Sequence, residues 1–149
     1  MTRWLSDDEQ STWRGLISLT VQLNAALNRQ LQDEHGISLS DYEILVRLHD
    51  VPDPGLRARE LQASLVWEQS RLSHQLARMR KRGLVERHEC SSDRRGASFT
   101  LTETGHALTE RAAPGHVAAV RRLLFDRLTP ADVASIAELT ARVAGQTMV

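Results

Sequence analysis

The stretch SRLSHQLARMRKRGLVERHECSSDRRGASFTLTETG, residues 70–105, changes periodicity halfway along. In its first part Leu72, Leu76 and Met79 recur at i, i+4 and i+7, one apolar stripe of a helix over residues 68–82. Gly83 is placed to end that helix as the residue after its C-cap. Beyond it, LVERHEC and ASFTL read as strands, the second with Ala97, Phe99 and Leu101 alternating against Ser98 and Thr100. SSDRRG supplies the turn, so a helix leads straight into a hairpin over 84–101 with Asp93, Arg94 and Arg95 at its tip.

The side of the helix opposite its apolar stripe presents Ser70, His74, Ala77 and Lys81, with Arg71 and Arg78 flanking. Short side chains at the centre and cations at the edges suit entry into a DNA major groove, where arginine can grip guanine or phosphate. An ordinary solvated helix face is also charged. The hairpin that follows favours DNA, because arginines at the tip of such a ribbon can enter a minor groove of strong negative potential. Residues 70–96 carry eight basic side chains against three acidic ones, although the whole chain is neutral. That concentration is the electrostatic footprint of a nucleic-acid surface.

Working outward, a short helix over Arg59 to Leu65 precedes the basic one and completes a helix-turn-helix. Before it, LSDYEILVRL has Ser40 as N-cap, Glu43 closing a capping box and Leu39 stapling to Ile44, and it ends near Asp50 at VPDPG. The first helix is capped by Ser6 with Glu9, carries Trp13, Leu16, Leu23, Ala26 and Leu27 along one side, and runs to about Glu34. Downstream, Thr102 caps a long helix that Pro114 and Gly115 are expected to kink or loosen, and Thr129–Pro130 opens the last one. The fold class is therefore mainly α with one small β-hairpin.

At 149 residues and 41% hydrophobic, the chain is the size of one packed domain. It has no apolar run of membrane-spanning length and no signal-peptide core at its start, so a cytoplasmic protein with no membrane partner is expected. A single cysteine, Cys90, excludes an internal disulfide framework.

The segment from Leu56 through Leu108 resembles the DNA-binding region of the multiple antibiotic resistance regulator (MarR) family. Asp93 and Arg95 as the D-x-R element of the wing, followed by LTETG, and SRLSHQLARMRKRGLVER as recognition helix and exit, carry the resemblance. It implies a winged helix-turn-helix over 37–102, flanked by dimerisation helices over 1–36 and 103–149. It further implies a homodimer that binds a palindromic double-stranded operator as a regulator, expected to be a repressor. Ser70, Arg71, Ser73, His74 and Arg78 match recognition-helix positions that touch bases or phosphates, Arg95 the minor-groove arginine, and Asp93 the acid that orients it. Arg94 is expected on a phosphate or in solvent, and Gln69 and Gln75 could join through phosphates. Val117, Val120, Leu123, Leu124, Phe125, Val133, Ile136 and Leu139 offer more apolar surface than so small a core consumes, which suits the dimer. The alternative is a dimeric winged-helix interaction module that does not bind DNA.

Members of the family are commonly released from DNA by small aromatic or phenolic effectors. By position, Trp13, Leu16, His35, Tyr42, Leu45 and Arg47 could line such a pocket, although each also suits plain core or dimer packing. Cys90 lies where a passive thiol is the expectation. The scattered histidines show no convergent metal set, and nothing in the sequence calls for a cofactor. No nucleophile elbow, phosphate-binding glycine loop or HExxH points to an enzyme.

Overall fold

Residues 1–89 and 96–147 are described in the computed structural model. Helix α1 (Asp7–His35) starts as its sequence dictates, with the Glu9 amide donating to Ser6 Oγ and the Ser6 amide to Glu9 Oε2. Gly36 ends it in the left-handed region at φ 66°. Helix α2 (Leu39–His49) starts two residues before the expected frame. Its cap is Ser38 and its box is closed by Asp41, not by Ser40 and Glu43. Both Ser-x-x-acid pairs satisfy the local pattern. Only the first places a carboxylate where the helix over 69–81 can donate to it, and that tertiary gain decides the register.

Strand β1 (Leu56–Arg57) is an element that sequence periodicity does not reveal, because two residues are too short to alternate. It pairs antiparallel with β3 (Ser98–Leu101), which also pairs with β2 (Val85–His88), giving a three-stranded sheet in the order β1-β3-β2. The wing hairpin thus has a third strand on its inner edge. Gly55, at φ 85°, permits this: a Cβ there would collide with the Phe99 carbonyl. The expected alternation holds for Ala97, Phe99 and Leu101, which are buried, yet Ser98 is buried too. Arg57 and His88 stand directly opposite Ser98 on the two flanking strands, and β3 has no open edge.

Between β1 and β2 lie α3 (Ala58–Leu65) and α4 (Gln69–Lys81). Leu72, Leu76 and Met79 of α4 point inward and meet Leu31, Ile44, Leu45, Leu48 and Leu61 in one core. Helix α5 (Glu103–Leu123), capped by Thr102, runs through Pro114 as a single element, so the proline does not divide it. Pro114 is solvent-exposed, which lets water serve the carbonyl its missing N–H leaves unpaired. Next to it, Gly115 allows α1 and α5 to approach closely, since a Cβ there would lie 2.5 Å from Glu34 Oε2. A 3₁₀ turn (Phe125–Arg127) leads to α6 (Pro130–Thr147), whose first turn is closed by Thr129 and Asp132.

Of the apolar surplus expected from the sequence, Val117, Phe125, Val133, Ile136 and Leu139 are exposed in the single chain, whereas Val120, Leu123 and Leu124 are half-buried. Trp13, Leu16 and Ile17 of α1 and Val133, Ile136, Leu139 and Val143 of α6 are all exposed. No helix among the described residues is long and apolar enough to cross a membrane.

Asp41 ties the two central helices together. It is 3% exposed and accepts from Ser38 N–H, Gln75 Nε2 and Arg82 Nη1 at 2.9, 2.6 and 2.7 Å. Replacing it with alanine opens the capping box and strands two donors, so Asp41→Ala is expected to cost about 2–4 kcal/mol in urea denaturation. Ser40→Ala, outside the cap, is expected to cost far less.

Candidate nucleic-acid interface

Helix α4 has two faces. Its inner stripe is buried, while Ser70, Arg71, Ser73, His74, Ala77, Arg78 and Lys81 are exposed on the outer side. The five recognition-helix residues singled out in the sequence therefore share one solvent-facing surface. Gln75 does not: at 5% exposure its amide donates to Asp41 Oδ1, and its carbonyl oxygen accepts from Arg78 Nη2. It is a structural residue, and contrary to the sequence expectation its amide is not free to reach a phosphate. Arg82 is likewise spent inside the protein, donating to Asp41 Oδ2 and, at 3.1 Å, to the Gly36 carbonyl.

The turn that launches α4 is tightly held. Val66 sits at φ 54°, a left-handed conformation costly for a β-branched residue, and its amide donates to the Gln62 carbonyl. Trp67 follows, 8% exposed and part of the core, with its own amide reaching the same carbonyl at 3.3 Å. Arg71 lies one turn on, its Cζ 3.9 Å from the Trp67 ring centroid and its Nη2 donating to Ser40 Oγ at 3.3 Å. The i, i+4 spacing of Trp67 and Arg71 is the sequence signal for this contact.

Two depressions flank α4. One, about 430 Å³, lies between α3, α4 and the sheet and has Arg59, Arg80 and Arg87 on its wall with Leu72, Leu76 and Phe99. The other, about 710 Å³, runs between the end of α4 and β2 past Arg80, Lys81, Arg87 and His88. Cationic side chains thus extend the helix surface toward the wing. Arg87 is paired with Glu89 and is partly neutralised. Asp93, Arg94, Arg95 and Cys90 lie outside the described residues; Gly96, at φ 91°, re-enters the strand in the left-handed region.

The six candidate effector residues are not gathered into one place. Trp13 and Leu16 are exposed on α1, Arg47 is exposed on α2, and Leu45 is fully buried in the core. Tyr42 is nearly buried, and its ring centroid lies 4.5 Å from that of His116 on α5, a residue not singled out in the sequence. Burial raises the Tyr42 pKa and lowers that of His116. The His116 Nδ1 and the nearby helix α1's Gln30 Oε1 are buried without a hydrogen-bond partner among the described residues. His35 is half-buried, 3.8 Å from Glu34 Oε2. Among the described residues no three His, Cys, Asp or Glu side chains gather to hold a metal ion.

Comparison with known proteins agrees with this geometry. Residues 35–96 match the model of the MarR family. The chain is similar over 99% of its length to AbsC, a MarR family transcriptional regulator from Streptomyces coelicolor, at 39% identity, 99% coverage of that chain and a TM-score of 0.90. It is similar to Sco3205 of the same organism, a MarR family transcriptional regulator crystallised in complex with DNA, at 43% identity and a TM-score of 0.91, covering 97% and 90% of the two chains. CouR from Rhodococcus jostii RHA1, bound to p-coumaroyl-CoA, is 26% identical over 96% of each chain, with a TM-score of 0.75.

His116 gives the stability a pH dependence. The unfolded chain binds a proton near the free imidazole value of 6.5, whereas burial keeps the folded ring neutral to lower pH. Stability is therefore undiminished above that value and falls as pH drops below it, until the folded ring also protonates. His116→Phe, which keeps a ring against Tyr42, is expected to reduce the loss of thermal stability between about pH 7 and pH 5. Parallel melting curves for the two proteins over that range would contradict it.

Proposed function

Because this chain belongs to the MarR family of transcriptional regulators, we propose that it is a sequence-specific DNA-binding repressor that acts as a homodimer on a palindromic operator. The observation that carries the reading is the outer face of α4, where Ser70, Arg71, Ser73, His74 and Arg78 share one exposed surface over a fully buried stripe. Regulators of this family act as dimers. In this chain the exposed apolar faces of α1 and α6 are the surfaces a second copy would cover.

In the assembled complex α4 lies in the major groove and the wing reaches the minor groove. Arg95 is the minor-groove probe and Asp93 the acid that orients it, while Arg94 stands beside them on a phosphate or in solvent. Affinity comes mainly from phosphate neutralisation, and choice of sequence from α4. The neutral overall charge does not oppose this, because the acidic residues are spread over the rest of the chain.

Release by a small molecule is part of the same proposal. The Tyr42–His116 pair, with the unpartnered Gln30 Oε1 and His116 Nδ1, lies where α1, α2 and α5 meet and sets a buried and a half-buried ring beside unsatisfied buried polar atoms. That combination suits an aromatic effector bearing a polar group. CouR, with p-coumaroyl-CoA bound, supports the existence of effector sites on this fold. Trp13 and Leu16 are then assigned to the dimer surface, and Leu45 to the core. Work on DNA places such a protein in the cytoplasm.

Gel-shift titration of the purified protein with its own promoter region tests the reading. Binding should weaken steeply as salt rises, as counterion release requires. Arg95→Ala is expected to cost at least about 1 kcal/mol of operator affinity while leaving the dimer and its melting temperature unchanged. A dimeric Arg95→Ala variant with wild-type affinity would remove the wing from the mechanism.

A further inference from the structure

We propose that Trp67 and Ser40 are positioning residues for DNA readout: together they hold the Arg71 guanidinium in place to take the O6/N7 edge of one operator guanine. This rests on the reading of the chain as a DNA-binding regulator. Arg71 stands on the exposed first turn of α4, where the residues of a recognition helix meet base edges. Its two restraints come from different parts of the fold. The indole belongs to the turn before α4, and the hydroxyl to the first turn of α2. The indole is itself packed into the core, and the Trp67 backbone amide donates to the Gln62 carbonyl.

Both restraints are neutral. Arg82 is neutralised by Asp41 and Arg87 by Glu89, but among the described residues no carboxylate pairs with Arg71. Its full charge and its remaining N–H donors stay available to an outside acceptor. A surface arginine normally loses much rotamer freedom on binding, and one ordered beforehand loses less. The planar fork fits the two acceptors of guanine, which a lysine ammonium cannot match. A phosphate would also fit the fork, but a phosphate contact carries no base preference, and that separates the two in experiment.

The test uses the full-length dimer and a duplex selected in vitro from a random pool, with each guanine replaced singly by 7-deazaguanine, which lacks the N7 acceptor. The wild type is expected to lose affinity about 10-fold at one guanine of each half-site. Arg71→Ala should abolish the sensitivity at that guanine and no other. Trp67→Leu is expected to bind the selected duplex roughly 3- to 10-fold more weakly. It should also show a smaller 7-deaza effect at the same guanine, and Trp67→Phe should restore most of both. Ser40→Ala, which leaves the core intact, should move both readouts in the same direction and decides the matter if Trp67→Leu fails to fold. A uniform loss on all duplexes, or an unchanged 7-deaza effect in Ser40→Ala and in a folded Trp67→Leu, overturns the proposal while leaving DNA binding in place. A wild type that selects no duplex overturns the functional reading and this proposal with it.

Discussion

The Asp41 carboxylate is the contact on which the geometry of the interface depends. A buried charge is tolerated only when it is fully partnered. Asp41 finds its partners by capping α2 through Ser38 and gripping α4 at two points, Gln75 and Arg82. Arg82 also reaches the Gly36 carbonyl at the end of α1. The end of α1, the start of α2 and the end of α4 are thus fastened at one node. With the apolar stripe of α4 held in the core, the rotation of that helix is set, and with it the identity of the residues facing out.

The arginines of the basic stretch consequently divide by role. Arg82 is consumed by the node, Arg78 donates to Gln75 from the rim, and Arg87 is paired with Glu89. Arg71 is restrained by an aromatic ring and a hydroxyl, which fix its position without cancelling its charge. Charge counting along the chain treats all of these alike. The physical difference is whether the counter-charge lies within the fold.

Most of the fold was legible in sequence, for a local reason. Ser6 with Glu9, Thr102 and Thr129 with Pro130 satisfy helix ends using neighbours in the chain, and Gly83 ends α4 with a left-handed φ of 69°. The apolar stripe of Leu72, Leu76 and Met79 likewise needed no tertiary information to be seen. The departures arose wherever two local solutions were equivalent or a segment was too short to show a period. Ser38 and Ser40 offered equally good caps, β1 has two residues, and Gln75 resembles any polar residue on a basic helix.

The sequence by itself determined the order of helices, the helix-to-wing transition and the basic outer face, because caps, turns and periodicity are properties of neighbouring residues. Only the tertiary structure decided which polar residues stayed available. Asp41, Gln75 and Arg82 meet across more than thirty positions of chain, Trp67 and Ser40 converge on Arg71 from separate elements, and His116 comes to rest on Tyr42. Such partnerships are set by the packing of helices around one core, where burial compels each polar group to find a donor or acceptor wherever the fold happens to bring one.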